Sequence, residues 1–324
     1  MSPSPLYDLP FDELPNPRQV WVGEPGSAEE GLGKLTLLTP ERVSKAASNE
    51  IRNGERVTLQ WDMAKLEIVG LGRSTAQHHI LPLMGGVCFD DVYIFNPQVS
   101  SQWDGLRHCS QSIPGQEQRV FYGGTTAAEI QDRSNDRIGI QHWAKHGIAG
   151  RGILIDYASY ADKKGINFNS FSPHEVKLSE ILEITKECNI SIQKGDILFM
   201  RIGITRDWDN KMTISEKMDY ATKPMPHLAG VEPTVDMLRW IWNSGFAAVA
   251  GDSLAFEVWP PRNPEVLLHE YLLAGWGMPI GELFDLEALA EKCKELNRWS
   301  FFVSSVPLNQ KGGVSSPPSA MAIF

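Results

Sequence analysis

Cysteine is scarce. The 324-residue chain has four, Cys88, Cys109, Cys188 and Cys293, and no two stand in a CxxC pair. That excludes a disulfide scaffold and fits a reduced, cytoplasmic setting. Cys109 reads as an inert, buried thiol, as free cysteine usually is. Long apolar runs are lacking: no stretch reaches the ~18 residues that a membrane-spanning helix needs. The opening Met1-Ser2-Pro3-Ser4-Pro5 has no basic stretch before an apolar one and does not read as a secretory leader. Positive charge is in deficit, with 30 Lys and Arg against 40 Asp and Glu and a net charge of −10. The densest basic runs are pairs such as Lys163-Lys164. An acidic surface without a basic stripe repels phosphate backbones, which argues against nucleic acid as a partner. Internal repeats and low-complexity linkers are absent as well.

What remains is ordinary globular material, 42% hydrophobic and 22% charged. Residues 1–34, rich in Pro, Gly and acidic side chains, read as an irregular arm tied down at Val20-Trp21-Val22, and residues 35–324 as one domain. Short continuous apolar runs over Gly152–Asp156, Ile197–Ile202 and Ala247–Ala250 look like buried central strands. Helical spacing falls between them: over Ser179–Cys188 with Ser179 as cap, over Thr234–Asn243 capped by Thr234, over Pro264–Leu273 and over Asp285–Leu296. Earlier, Thr39 caps a helix that starts with Pro40, and Asp136–His146 predicts another, closed by Gly147. Arg56–Trp61 alternates as a strand. Strands are also expected over Leu81–Cys88 and Asp91–Phe95 about an acidic turn, and over Phe301–Val303. The apolar tail Ala320–Phe324 reads as tucked into a sheet or an interface. Helices alternating with buried strands predict an α/β domain around a mixed sheet.

Two segments hold groups capable of chemistry. Gln98–His108 follows a strand and contains Asp104 and His108 four residues apart. In a loop such a pair is more often a hydrogen-bonded couple than a ligand set. In Leu267–Leu283, His269 sits on a helix and Glu282 follows a glycine-rich turn, both among apolar residues. A carboxylate there must be paired, protonated or bound to a cation. The plain alternative is a local cap or ion pair.

These segments resemble the cyclase family, which includes the bacterial kynurenine formamidases. The family motif H-x-G-T-H-x-D-x-P-x-H places its Asp on Asp104 and its last His on His108. A later His and Glu of the family match His269 and Glu282, with one extra residue between them. Arg151–Asp156 is similar to the family's RGVLLD strand, Gly195–Leu198 with Gly203 to a GDxLL segment, Val249–Ser253 to a GxD-S turn, and Ser316-Pro317 to a late SP pair. The likeness runs from about residue 55 to the C-terminus, and the forms Gln102–His108 and Gly275–Glu282 are similar to longer fungal members. It implies a single-domain, swivelling β/β/α cyclase-type fold with a mixed central sheet and flanking helices. It also implies a metal-dependent, formamidase-like hydrolase that forms homodimers or homotetramers.

The departures from the motif shape the expected site. Its first two histidines fall on Gln98 and Gln102, its Thr on Ser101 and its Pro on Leu106. In formamidase-like members those histidines and the Asp hold one metal, and the later His and Glu share the Asp to hold a second. The resemblance therefore implies one divalent ion here, zinc or manganese, on Asp104, His269 and Glu282, with Gln102 as a weak fourth ligand. His108 acts as general acid/base or joins the ligands, and Asp104 holds both the metal and the catalytic loop. Trp61, placed like the family's substrate-stacking Trp, stands as pocket wall or core. Gln98, Trp103 and Arg107 are candidate substrate contacts, with a structural ion pair as the plainer role for Arg107. Asp156 and Asp252 end strands and read as structural hydrogen-bonders. His78, His79, His142, His146, His174 and His227 have no partners at useful spacing. The substrate expected is a small-molecule amide, formamide, ester or lactone. A cyclase, dehydratase or isomerase of secondary metabolism using the same site, or a metal-free binding relative, are the other readings.

Overall fold

Four strands lie parallel, side by side: Ile148–Asp156, Ile197–Arg201, Ala248–Gly251 and Ile280–Glu282. The structure is a computed structural model that describes residues 3–66 and 68–324. Antiparallel strands extend the parallel core on both sides. Ser300–Ser305, Ala320–Ile323 and Arg56–Thr58 follow Ile148–Asp156, while Gln102–Asp104 and Ser315–Ser316 follow Ile280–Glu282. The nine-stranded sheet is mixed and curled, with helices packed around it in one α/β domain. The parallel strands are apolar through the middle of the sheet because both faces are covered, with Asp156, Arg201 and Glu282 at their ends, and Ile153, Leu154, Phe199, Val249 and Ala250 have no exposed surface. Packing between strands is tight at Gly281, where an added Cβ would lie 2.7 Å from the Ala250 Cβ. Only glycine lets the strand that ends in Glu282 approach its neighbour this closely.

The apolar tail is a strand, second in the sheet. Residues 3–34 wrap the body. Val20 donates its N–H to Gly275 O at 2.9 Å and the Trp21 indole donates to Ala274 O at 2.8 Å. Within this stretch Ala28–Leu32 is a turn of helix capped by Ser27. Thr39 caps Pro40–Glu50 and Thr234 caps Val235–Ser244, each by accepting an N–H from the first turn. Among the described residues no helix is long and apolar enough to cross a membrane.

Four expectations are corrected. Helix Asp136–His146 shortens to Gln141–His146, because Ile138 takes φ 52° and breaks the spiral. Helix Ser179–Cys188 is Leu178–Glu187, and its cap position is Lys177, whose N–H is taken by Glu180; Ser179 lies inside the first turn. Helix Pro264–Leu273 does not form over its first half. Asn263 folds its side chain onto the Glu265 N–H, and helical structure begins only at Leu268, widening to a π-helix over Glu270–Gly275. The strands expected about an acidic turn are Gln77–Leu83 and Cys88–Ile94. Their turn forms at Gly85 and Gly86, both at positive φ, while Asp90 and Asp91 stay within a strand.

Candidate metal centre

Pairing of Gln102–Asp104 against Ile280–Glu282 sets Glu282 opposite Gln102 and Ile280 opposite Asp104. Alternation puts Gln102 and Asp104 on one face with Glu282, and Trp103 on the other. His269 enters from the start of the π-helical turn, a local widening that often accompanies functional positions. One ligand atom each of Asp104, His269 and Glu282 lies within 4.8 Å of the other two. His269 Nε2 is 3.1 Å from Glu282 Oε1 and 3.9 Å from Asp104 Oδ2. His108 Nε2 approaches Asp104 Oδ2 at 3.6 Å, and the two imidazole centroids are 6.4 Å apart.

Glutamine amides brace this cluster from behind. Gln98 Nε2 donates to Asp104 Oδ1, and Gln102 Nε2 donates to Glu282 Oε2 at 2.7 Å and to Gln98 Oε1 at 3.2 Å. The amide orientations that satisfy these bonds leave Gln102 Oε1 buried and without a hydrogen-bond partner. Asp104 Oδ2 is in the same condition. Two orphaned, buried oxygens beside an imidazole and a second carboxylate form a donor set that fits a divalent cation. Asp104 is fully buried, while the side chains of His108 and His269 keep 25% and 16% of their surface in solvent. The cluster therefore opens on its histidine side.

Glu257 completes the arrangement and was not singled out by sequence. Its Oε2 accepts from His269 Nδ1 at 2.8 Å and its Oε1 accepts the His269 N–H at 3.2 Å. A carboxylate on Nδ1 fixes the tautomer that presents Nε2 to a metal. The one available signal was a lone carboxylate between Phe256 and Val258, both buried apolar residues. Arg73, also missed, sits at the edge of the cluster, where its Nη1 donates to Gln98 O at 3.3 Å.

Without a cation the cluster is short of positive charge. Burial, then the nearby Asp104 carboxylate, pushes the Glu282 carboxyl well up. Desolvation opposes a charged His269, but Glu257 and Glu282 outweigh it and hold the imidazole protonated, well above its usual range. His108 behaves in the opposite way. Burial lowers it, with help from His269 and Arg73, against the attraction of Asp104, so its imidazole is neutral at pH 7.

Several candidate contacts lie elsewhere. Trp103 is fully buried, donates its indole N–H to Ser305 Oγ at 2.9 Å and packs edge-on against Phe284, so it is core rather than a substrate contact. Arg107 is 3% exposed and gives its guanidinium to the carbonyls of Arg137, Gly312, Asn135 and Glu129. It cannot reach a substrate carboxylate and instead ties the 129–137 stretch to the backbone at Gly312. Gln98 stands behind Asp104, away from the open side. Trp61 is buried, with its indole on Asp209 Oδ2. Asp252 accepts the N–H groups of Ile202 and Gly203, and Asp156 caps a helix and pairs with Arg201, both structural as expected. His78 pairs with Asp91 on an exposed ribbon, and His174 hydrogen-bonds Tyr157. Burial raises the Cys109 thiol, consistent with an inert cysteine.

The sequence profile of the Cyclase family matches residues 57–258, more than half of the chain. The chain belongs to the Cyclase family. A crystal structure described as a novel cyclase is 24% identical and superposes with a TM-score of 0.78 over 92% of this chain and 97% of that one. Isatin hydrolase bound to the product analogue thioisatinate gives 13% identity and a TM-score of 0.60 over 87% and 95%. Isatin hydrolase A from Labrenzia aggregata, bound to benzyl benzoate, gives 14% and 0.57 over 87% and 97%. At these identities the likeness is one of fold: this Cyclase-family chain shares its architecture with the novel cyclase and with the isatin hydrolases. No curated protein sequence matches it.

Proposed function

We propose that this Cyclase-family protein is a hydrolase of a small-molecule amide, formamide, ester or lactone that uses one divalent cation, zinc or manganese. The buried, partnerless Asp104 Oδ2, met by His269 Nε2 and His108 Nε2, is the observation that carries this reading. Asp104, His269 and Glu282 would hold the ion, with the free Gln102 Oε1 as a fourth oxygen. When bound, the ion supplies Lewis-acid polarisation of the scissile carbonyl and acidifies water.

The protein's own groups do the rest. Gln98 and Glu257 hold Asp104 and His269 in place. His108, neutral and on the open side, accepts a proton from the attacking water and returns it to the leaving nitrogen or oxygen. Hydrolysis of any of these substrates except an N-formyl group liberates a carboxylate still attached to the product, and the Arg73 guanidinium at the edge would pair with it. Elemental analysis of wild type and His269→Ala, paired with hydrolysis assays on formanilide, an aryl ester, a lactone and isatin, tests the proposal. About one metal per chain, lost in the variant, with turnover of at least one probe, supports it. Bound metal without hydrolysis of any probe points to cyclisation, dehydration or isomerisation at the same site. No metal after incubation with zinc and manganese overturns the metal mechanism.

A further inference from the structure

His269 stands at the start of a π-helical turn, Glu270–Gly275. Such a turn holds one residue more than an α-helical one and is rare, so its surroundings must hold it. Loss of the extra residue would rotate the chain before it by about 100° against the strand after it. That strand is fixed. Ile280–Glu282 is paired on both edges, and Glu282 Oε1 stands 3.1 Å from His269 Nε2. The geometry of the centre therefore depends on what keeps the turn in its π form.

The N-terminal arm supplies several of the ties. The last carbonyls of a helix have no partner within it. Here Gly275 O accepts the Val20 N–H at 2.9 Å, and Ala274 O accepts the Trp21 indole at 2.8 Å and the Gln111 amide at 3.1 Å. The Trp276 indole donates back to Pro17 O at 2.7 Å. Gly275 lets the arm lie this close, since an added Cβ would stand 2.8 Å from Arg18 O. Arg18 makes the widest tie. Its Nε donates to Tyr271 Oη at 3.0 Å, and its guanidinium lies over that ring, 4.7 Å from the centroid. Its Nη1 and Nη2 donate to Ser112 O and Glu265 O at 3.3 Å each, and Nη2 lies 3.6 Å from the buried Glu270 carboxylate. These partners flank His269 on both sides and reach the loop that leaves His108.

We propose that the arm is a working part of the metal centre, with Arg18 as a positioning residue that holds the π-helical turn and so aims His269 at Asp104 and Glu282. This role rests on the one-cation reading of the site. A strap that served the fold alone would add stability and leave ligand geometry untouched.

Zinc affinity by chelator competition and the visible absorption of the cobalt-loaded protein, for wild type, Arg18→Met, Trp21→Phe and Arg239→Met, test this. Methionine keeps much of the Arg18 stem and removes all its donors. Trp21→Phe removes one donor and serves should Arg18→Met fail to fold. Arg239 ties the arm to helix Val235–Ser244 through Asp12, away from the turn, and is the control. Arg18→Met should bind zinc roughly 10-fold more weakly, the scale for losing a group that orients a ligand. Its cobalt band should shift, and amide exchange over residues 270–278 should quicken in the metal-free protein. Trp21→Phe should move the same way by less, and Arg239→Met should bind within twofold of wild type. Unchanged zinc affinity and cobalt band in folded Arg18→Met overturn the proposal, as they do in Trp21→Phe should Arg18→Met not fold. An equal loss in Arg239→Met overturns it too, because general loosening then suffices. Wild type that binds neither metal fails the one-cation reading itself and takes this role with it.

Discussion

Glu257→Gln separates two effects that the site combines. The glutamate makes two hydrogen bonds to one residue, His269, and both its oxygens are buried. The substitution keeps the shape and removes the charge. Charge-assisted hydrogen bonds are about twice as strong as neutral ones, and replacing a partner that orients a ligand costs roughly 10–100-fold in metal affinity. That range equals about 1.4–2.7 kcal/mol. A second effect opposes it. In the absence of a cation Glu257 helps to hold His269 protonated, against desolvation, and an incoming metal must displace that proton. The variant relieves the competition. Raising the pH from about 6 to about 8.5 weakens the proton competition, so the loss of orientation shows more fully at the higher pH and the relief offsets more of it at the lower one. Competition against a chromophoric chelator at both pH values reads the two terms. Expected is 10–100-fold weaker binding at the higher pH and a smaller deficit at the lower one. A Kd within twofold of wild type at about pH 8.5 refutes the role given to Glu257. An equal deficit at both pH values refutes the proton competition.

His108→Ala should retain one metal per chain and lose roughly 10²–10⁴-fold in kcat, read by steady-state kinetics on whichever probe turns over. The wild-type kcat/KM should rise with pH as His108 loses its proton, with a midpoint below 6.5, because burial lowers this imidazole and a bound cation would push it the same way. A midpoint above 6.5, or an acid limb that survives in His108→Ala, contradicts the assignment. Trp103→Ala should destabilise the fold by about 3–5 kcal/mol in urea titration through the cavity it leaves, while KM of the folded fraction stays near wild type. Arg107→Ala should cost about 3 kcal/mol by stranding buried carbonyls and leave KM unchanged. A rise in KM with no loss of stability would return Arg107 to the substrate.

Local pattern decided a good deal. The apolar runs at Gly152–Asp156, Ile197–Ile202 and Ala247–Ala250 fall on parallel strands because strands covered on both faces need no polar positions. Thr39 and Thr234 cap helices because capping depends on a few adjacent residues. Where boundaries moved, the cause lay in backbone conformation that composition does not display, such as the positive φ at Ile138 or the Asn263 turn before His269. Asp104, His108, His269 and Glu282 could be named from sequence as groups with chemistry in them, and the matching family pattern suggested that they meet. Gln102–Asp104 read as part of a loop, so only the strand seen in the structure shows that Trp103 points away from Gln102 and Asp104. Arg107 beside His108 read as a structural ion pair before a substrate contact; its partners are four backbone carbonyls, which no local pattern displays. Glu257 left only the weak signal of a carboxylate between Phe256 and Val258, and nothing near Arg73 in the chain announces its distant partner. Sequence determined the local periodicities and the types of chemical group present. Tertiary structure decided which of those groups share a face, which are consumed by backbone carbonyls, and which ribbon is left exposed. Those outcomes depend on strand pairing between segments far apart in the chain, and no local spacing encodes it.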